Sequence, residues 1–252
     1  MSDDLPFSLD REIVIRATRA TVFRYFTDTE RFAAWWGAGS RIDPRVGGEV
    51  FIQYPGNLTA QGTILEITPP SRIVFTYGYD RPDPPIPVGG SRVTITVEEV
   101  PGGTRVVLHH DVATAAVRDA HRRGWRYQMS IFGDVVSREQ HAGAPATIER
   151  WLAAWNTPDA AALAAICAPD VEYRDRWGYT QGVDDLADHI AAARMHLPAT
   201  LVADAPAEHA HGVALLRWRA MKDGATEPAA RGTTVFDLAP DGRIARATGL
   251  WS

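Results

Sequence analysis

Cysteine is almost missing from this 252-residue chain, and Cys167 is the single one. One thiol cannot close an internal disulfide, and no second thiol exists for a cysteine-ligated metal site. Cys167 sits in the apolar run Ala164-Ala165-Ile166-Cys167-Ala168 with nothing nearby to make a thiolate. It reads as a buried core thiol rather than a nucleophile. Lysine is equally scarce: Lys222 stands alone, the other positive charges are arginine, and the bias reads as genomic. No long basic run interrupts a net charge of −5 and a pI near 5.9. That argues against the clustered cationic surfaces that bind nucleic acid or anionic membranes. No apolar run approaches the ~18 residues that span a bilayer. The start, Met1-Ser2-Asp3-Asp4-Leu5, lacks the positive region and apolar core of a secretion signal. A soluble, cytoplasmic protein is expected. Phosphate-loop, GxSxG and HExxH motifs are absent, so no cofactor is expected. His209 and His211 fall on one face of an expected strand, but no third ligand accompanies them, and no metal is expected.

With 45% hydrophobic residues, the chain has the material for two domains of ordinary size. The junction falls near His141-Ala142-Gly143-Ala144-Pro145, where a fresh cycle of helix and alternating strands begins. The domains are expected at 1–141 and 146–252.

In the first half, residues 8–18 alternate Glu12, Val14 and Arg16 against Ile13 and Ile15, as a half-buried strand does. Helical spacing follows over 21–27 and 28–37. Strands are expected near 47–54, 59–67, 72–79, 91–99 and 104–111, separated by Pro/Gly/Asn turns. The Pro-rich run 81–90 must be a loop, placed where a rim or lid would sit. A long helix spans about 115–140. Trp125, Met129, Phe132 and Val136 form one apolar stripe on it, flanked by Val117, Gly124, Ile131 and Val135. His121 and Gln128 share that broad face, where each needs a partner in the core or in a ligand.

These residues carry a resemblance. Trp35-Trp36-Gly37, Val46-Gly47-Gly48-Glu49, the run from Gly62 to Tyr77, the run from Val93 to Asp111, and Gly124-Trp125 resemble the START-like superfamily. Within it they are most similar to the bacterial branch named after the activator of the heat-shock-protein ATPase. The resemblance covers about residues 8–140 and implies a helix-grip fold: a bent antiparallel sheet wrapping the C-terminal helix, with a cavity between them. It implies no single function. Alternation places Phe75, Tyr77 and Tyr79 on one face, and Phe51 with Gln53 on another strand. His109 and Asp111 share a face, either as a general base held by a carboxylate or as an ordinary solvated pair. Trp35 and Trp36 read as structural. Gln53, Phe75, Tyr77, His109, His121, Trp125 and Gln128 are the candidate ligand-binding residues of this half.

In the second half, 146–155 is an amphipathic helix with Ile148, Leu152 and Trp155 on one side. Thr157-Pro158-Asp159 reads as a helix start, with Thr157 as the cap and the helix running to Ala168. A strand at 171–175, a loop through Trp177-Gly178 and a third helix at about 183–195 follow. Strands near 199–204, 207–221, 231–239 and 243–251 close the chain, the last two joined at Asp241-Gly242. The segment Ala168–Gly178, Gly182 and the ending DGRIARATGLWS resemble the nuclear transport factor 2-like superfamily. The similarity is to its polyketide-cyclase (SnoaL-like) and ketosteroid-isomerase branches, over about 146–252, and it implies an α+β cone of three helices and a curved antiparallel sheet. The expected fold class is therefore α+β, a helix-grip domain followed by a cone-barrel domain.

By that resemblance, Asp175 in Arg174-Asp175-Arg176-Trp177-Gly178 occupies the position of the isomerases' proton-shuttling acid, with Arg176 where they have proline. The positions of their two oxyanion donors fall on Trp151 and Thr234. Neither side chain is as acidic a donor as the tyrosine and protonated aspartic acid it replaces, which disfavours steroid isomerisation. Asp175 shares a strand face with Val171 and Tyr173. It is either a cavity carboxylate with a raised pKa and base character, or a mouth residue paired with Arg174 or Arg176. Asp175, Tyr173 and Trp151 are the candidate catalytic residues. His189, Trp218, Thr234 and Trp251 are candidate ligand contacts, the two tryptophans mostly as wall.

The resulting expectation is a pocket protein for a small hydrophobic or aromatic molecule, with cofactor-free cyclase, isomerase or hydrolase chemistry in the second cup. A non-catalytic carrier is the alternative, and a chaperone-linked ATPase activator is a third reading carried by the family name alone. The second superfamily also implies a homodimer through its open sheet face.

Overall fold

The computed structural model describes residues 5–251. Residues 1–4, most of the segment read for a secretion signal, lie outside them. The chain divides into two compact units after Ser137. No helix among the described residues is long and apolar enough to cross a membrane.

The first unit opens with β1 (Phe7–Ile15), α1 (Arg19–Arg24) and α2 (Thr29–Trp36). Side-chain caps start both helices. Thr18 Oγ1 accepts from the Thr21 N–H at 3.2 Å and Asp28 Oδ1 from the Arg31 N–H at 2.9 Å, each satisfying a donor the helix cannot. Then come β2 (Arg41–Ile42), β3 (Glu49–Gln53), β4 (Thr59–Thr68), β5 (Arg72–Tyr79), β6 (Ser91–Val100), β7 (Gly103–Val112) and the long helix α3 (Ala115–Gln140). The strands form one antiparallel sheet in the order β1-β7-β6-β5-β4-β3-β2. The short strand β2 was not anticipated from the sequence: two residues are too few to show an alternation. The Trp125, Met129, Phe132 and Val136 stripe is buried as its spacing requires. It meets Phe26, Phe32 and Trp35, with Phe132 stacked on Phe26 at 5.2 Å.

A buried polar chain fastens α3 to the sheet. Trp125 Nε1 on α3 donates to Nδ1 of His110 on β7 at 2.9 Å. Because Nδ1 accepts, the ring proton sits on Nε2, which donates to Ser91 Oγ at 2.8 Å. Ser91 in turn donates to the Tyr77 carbonyl at 2.8 Å, which links β6 to β5. Burial pushes the His110 pKa down to about 3, so the ring stays neutral and this donor order is fixed.

The second unit has α4 (Ala144–Asn156), α5 (Ala160–Ala164), β8 (Cys167–Asp175), β9 (Gly178–Gln181), α6 (Val183–His196) and the strands β10 (Thr200–Ala203), β11 (Glu208–Ala210), β12 (Val213–Met221), β13 (Ala230–Leu238) and β14 (Ile244–Trp251). Its sheet runs β10-β12-β13-β14-β8-β9, with β11 also on β12. Helices and sheet enclose a core of Trp151, Trp155, Tyr173, Leu216 and Phe236. Four details depart from the sequence reading. Asp159, not Thr157, caps α5, its Oδ1 accepting from the Ala161 N–H at 2.9 Å, and the helix ends at Ala164 because the chain from Cys167 is already strand. The sheet is not wholly antiparallel, since β8 runs parallel to β14. Gly178 begins a strand rather than continuing a loop. The expected strand 207–221 is two strands broken at His211-Gly212, where His211 has φ 49° and Gly212 φ 75°. His209 and His211 therefore do not share a strand, and no metal-binding group of three or more ligands occurs among the described residues.

A neutral His110 has a direct consequence for acid stability. Its folded pKa lies below the 6.5 of the free side chain, so the unfolded chain takes up the proton first and stability is lost as the pH falls from 6.5 toward 3. The loss approaches about 1.4 kcal/mol per pH unit for this group. In urea unfolding followed by tryptophan fluorescence, wild type should exceed His110→Gln in stability at pH 7, with the gap narrowing toward pH 4. A constant gap would contradict a neutral, buried His110.

Candidate functional site

The first unit holds a cavity of about 280 Å³ between α3 and the sheet. Helix α2 contributes Trp35 and Trp36. Strand β5 contributes Tyr77 and Tyr79, two residues apart and so on one face, and α3 contributes His121, Gly124, Trp125 and Gln128 at helical spacing. Tyr54, just past β3, closes one side. The rings meet as a continuous aromatic wall: Trp35 and Trp36 lie 4.4 Å apart, and Trp36 stands edge-on to Trp125 at 5.6 Å and to Tyr54 at 5.9 Å. Such edge-on pairs hold rings in definite orientations.

The polar groups of this cavity are uncharged. His121 Nδ1 donates to the Val117 carbonyl at 2.8 Å, which leaves Nε2 to accept from the Tyr79 hydroxyl at 3.1 Å. Burial lowers the His121 pKa, the Val117 bond offsetting this only in part, so the imidazole is neutral. The Tyr54 and Tyr77 hydroxyls bond each other at 2.8 Å. Burial raises both phenols, Tyr77 well above the ordinary value, and neither ionises near neutrality. Gln128 Nε2 donates to the Trp35 carbonyl, which ties α3 to the end of α2.

Of the residues singled out in the sequence, Tyr77, His121, Trp125 and Gln128 meet at this cavity, together with Trp35 and Trp36, which had been read as structural. Phe75 is buried in the core, and Gln53 turns its amide to the Tyr54 carbonyl at 3.1 Å. Neither lines the cavity. His109 lies on the other face of β7, bonded through Nδ1 to Asp10 at 2.7 Å and through Nε2 to Asp111 at 2.9 Å. Burial lowers its pKa, but the two carboxylates outweigh that and raise it. The inward residue is its neighbour His110, which the sequence reading passed over. The apolar parity of Val106, Leu108 and Val112 marks that face and was the available signal. Tyr54 sits beyond the end of its strand, where alternation no longer indicates direction.

In the second unit, Asp175 is the centre of a polar cluster. Its side chain is fully covered. Oδ1 accepts from the Trp177 and Gly178 N–H groups at 2.8 and 3.2 Å, and Oδ2 accepts from the Tyr173 hydroxyl at 3.0 Å. His189 Nε2, reaching down from α6, lies 3.3 Å from Oδ1. Burial alone would raise the Asp175 pKa, but the His189 imidazole, the Trp177 N–H and the Tyr173 hydroxyl outweigh it and hold the carboxyl below its ordinary range. This corrects the expectation of a raised pKa. It also corrects the alternative of an arginine partner: Arg174 pairs with Glu172 at 3.2 Å, and Arg176 lies over the Trp177 ring. Tyr173 is the complementary case, its phenol raised by burial and by Asp175.

Gly249 on β14 makes room for this cluster. A Cβ there would fall 2.9 Å from the Tyr173 hydroxyl and 3.3 Å from Asp175 Cβ, so any side chain would push the pair apart. Trp151 is buried, its ring 5.8 Å from that of Tyr173. Thr234 lies opposite Gly249 in the β13–β14 register, and its hydroxyl accepts from Trp218 Nε1 at 3.0 Å. Trp251 stands edge-on to Trp218 at 4.6 Å and 4.4 Å from Trp177. Cys167 is buried and its thiol is pushed up to about 12, which makes it inert as a nucleophile.

No curated protein matches the chain. Among solved structures, an Activator of Hsp90 ATPase homolog 1-like protein from Rhizobium etli is 29% identical, with a TM-score of 0.44, covering 54% of this chain and 86% of its own. A SnoaL-like family protein from Agrobacterium tumefaciens is 25% identical, with a TM-score of 0.41, covering 45% of this chain and 98% of its own. CalU16 from Micromonospora echinospora is also 25% identical, with a TM-score of 0.43, covering 52% of this chain and 77% of its own. Residues 16–137 match the family described as Activator of Hsp90 ATPase homolog 1-like protein, and residues 148–247 match the SnoaL-like domain. The chain thus carries an Activator of Hsp90 ATPase homolog 1-like domain followed by a SnoaL-like domain.

Proposed function

We propose that the protein binds a small, uncharged, aromatic molecule in the cavity of its first domain. The observation that carries this reading is the pairing of an aromatic wall with polar groups that are all neutral. A charged ligand would be desolvated there without a counter-ion, at a cost of several kcal/mol. In the Tyr54–Tyr77 pair one hydroxyl donates to the other, and the second proton is available to an oxygen of the ligand. A buried polar pair of this kind fixes orientation, while the ring faces supply most of the affinity.

Gly124 provides the test. It lines the cavity, and a Cβ added there meets nothing within 4 Å. Gly124→Phe should therefore place a ring at the cavity from a Cβ that meets no neighbour, and replacing a mid-helix glycine should hold or raise stability by about 0.5 kcal/mol. The neutral dye Nile red should bind wild type, quench its tryptophan fluorescence, and bind the variant at least tenfold more weakly. Equal binding to both would overturn the reading.

The second domain favours a proton-transfer role, which we infer from the cluster at Asp175. An ionised carboxylate holding three donors is a poor proton acceptor but a good anchor for a neighbouring imidazole. Asp175 then orients His189 and balances charge developing on it. Tyr173 holds the carboxylate in place, and Trp151 packs against Tyr173. The general probe 5-nitrobenzisoxazole, which opens by loss of one carbon-bound proton, reports such a base. Turnover above the buffer rate should fall at least tenfold in both His189→Gln and Asp175→Asn. Unchanged turnover in Asp175→Asn would remove the role.

A further inference from the structure

We propose that the first domain carries a second binding site, for the phosphate group of a small molecule, on the flank of α3 that faces β1. A separate cavity of about 320 Å³ opens there, lined by Leu9, Asp10 and Arg11 of β1 and by Arg122 and Arg126 of α3. Arg11 follows Leu9 by two positions and so shares its face of the strand. Arg122 and Arg126 are one helical turn apart and so project from one face of the helix. Three guanidinium groups are thus gathered around one space.

Their charge is poorly answered by the protein. The Asp10 carboxylate is taken by His109 at 2.7 Å. Asp119, the carboxylate nearest Arg122, is 3.9 Å away and is already held by Arg118 at 2.9 Å. Arg11 Nε is buried with no hydrogen-bond partner in the protein, an arrangement that costs free energy unless another group accepts from it. In a chain of net charge −5, three cations converging on carboxylates already shared with His109 and Arg118 stand out against the overall field. A tetrahedral oxyanion answers each requirement. Its several oxygens can each accept from a guanidinium, and its double charge offsets the mutual repulsion of the three. The space exceeds a bare phosphate ion, which favours a phosphomonoester or diphosphate with a small organic group.

The site is separate from the aromatic cavity, whose α3 residues are His121, Gly124, Trp125 and Gln128, so the two are tested apart. The full-length protein is titrated with inorganic pyrophosphate and with phenyl phosphate at 150 mM sodium chloride, and binding is followed by calorimetry. Vesicles containing phosphatidic acid form a further arm, to separate a soluble ester from a lipid headgroup. Submicromolar to tens-of-micromolar binding is expected for the soluble phosphates. It should weaken at least tenfold in the Arg122→Gln/Arg126→Gln double variant and stay unchanged in Arg123→Gln, an exposed arginine outside the cavity. Binding to the vesicles alone, with the same arginine dependence, keeps the phosphate chemistry and assigns it to a lipid. Nile red binding by the double variant should match wild type, which shows that the domain remains folded. The proposal is overturned if neither phosphates nor vesicles bind below millimolar concentration, if sodium sulfate competes as well as pyrophosphate at equal concentration, or if Arg123→Gln weakens binding as much as the double variant.

Discussion

The first domain depends on one constraint: a neutral histidine in the middle of a donor chain. His110 can accept from Trp125 and donate to Ser91 only while it carries a single proton on Nε2. Those bonds place an α3 side chain and the β5–β6 junction at fixed distances, and the cavity lies beside the point where they meet. The rings around it are then held from behind, by Gln128 on the end of α2 and by the Val117 carbonyl on His121. The cavity wall is therefore preorganised by hydrogen bonds made behind it, which would lower the ordering cost of the proposed binding.

The second domain handles polarity in a different way. Where the first gathers neutral groups, the second buries a charge and surrounds it with donors. The Trp177 and Gly178 amides, the Tyr173 hydroxyl and the His189 ring all face the Asp175 carboxylate. Each donor satisfies part of a cost that burial imposes, and together they reverse the direction in which burial alone would move the pKa. The two cups of one chain thus differ in their interiors, neutral polar groups among aromatic rings in the first and a donor-surrounded carboxylate in the second.

Much of this was legible in the sequence because it follows from period. The stripe on α3, the alternation of β5 and the hairpin at Asp241-Gly242 are local patterns that tertiary structure preserved. What escaped depends on geometry that period does not encode. His109 and His110 are adjacent, and choosing the inward one requires the parity of the whole strand, not the chemistry of a promising pair. Thr157 and Asp159 are both good caps, and the choice between them turned on where the backbone enters the helix. The Asp175 environment could not be read from neighbouring residue types alone, because two of its donors are backbone amides of a turn and the imidazole beside it comes from a helix further along the chain. The arginines at 174 and 176 were the obvious partners in sequence, but alternation turns Arg174 toward Glu172 and the turn after β8 lays Arg176 over the Trp177 ring.

The parallel pairing of β8 with β14 bears on when the second domain can exist. Strand β8 carries Tyr173 and Asp175, and its neighbour in the sheet is made some seventy residues later on the ribosome. Until Ile244–Trp251 has emerged, β8 has no partner on that side and Gly249 is not there to leave space for the phenol and carboxylate. The earlier strands can pair among themselves during synthesis, since β12 and β13 are close in sequence. The groups that face Asp175 all lie between Tyr173 and His189, so the last strand adds the neighbouring wall and the Gly249 gap rather than the carboxylate's partners.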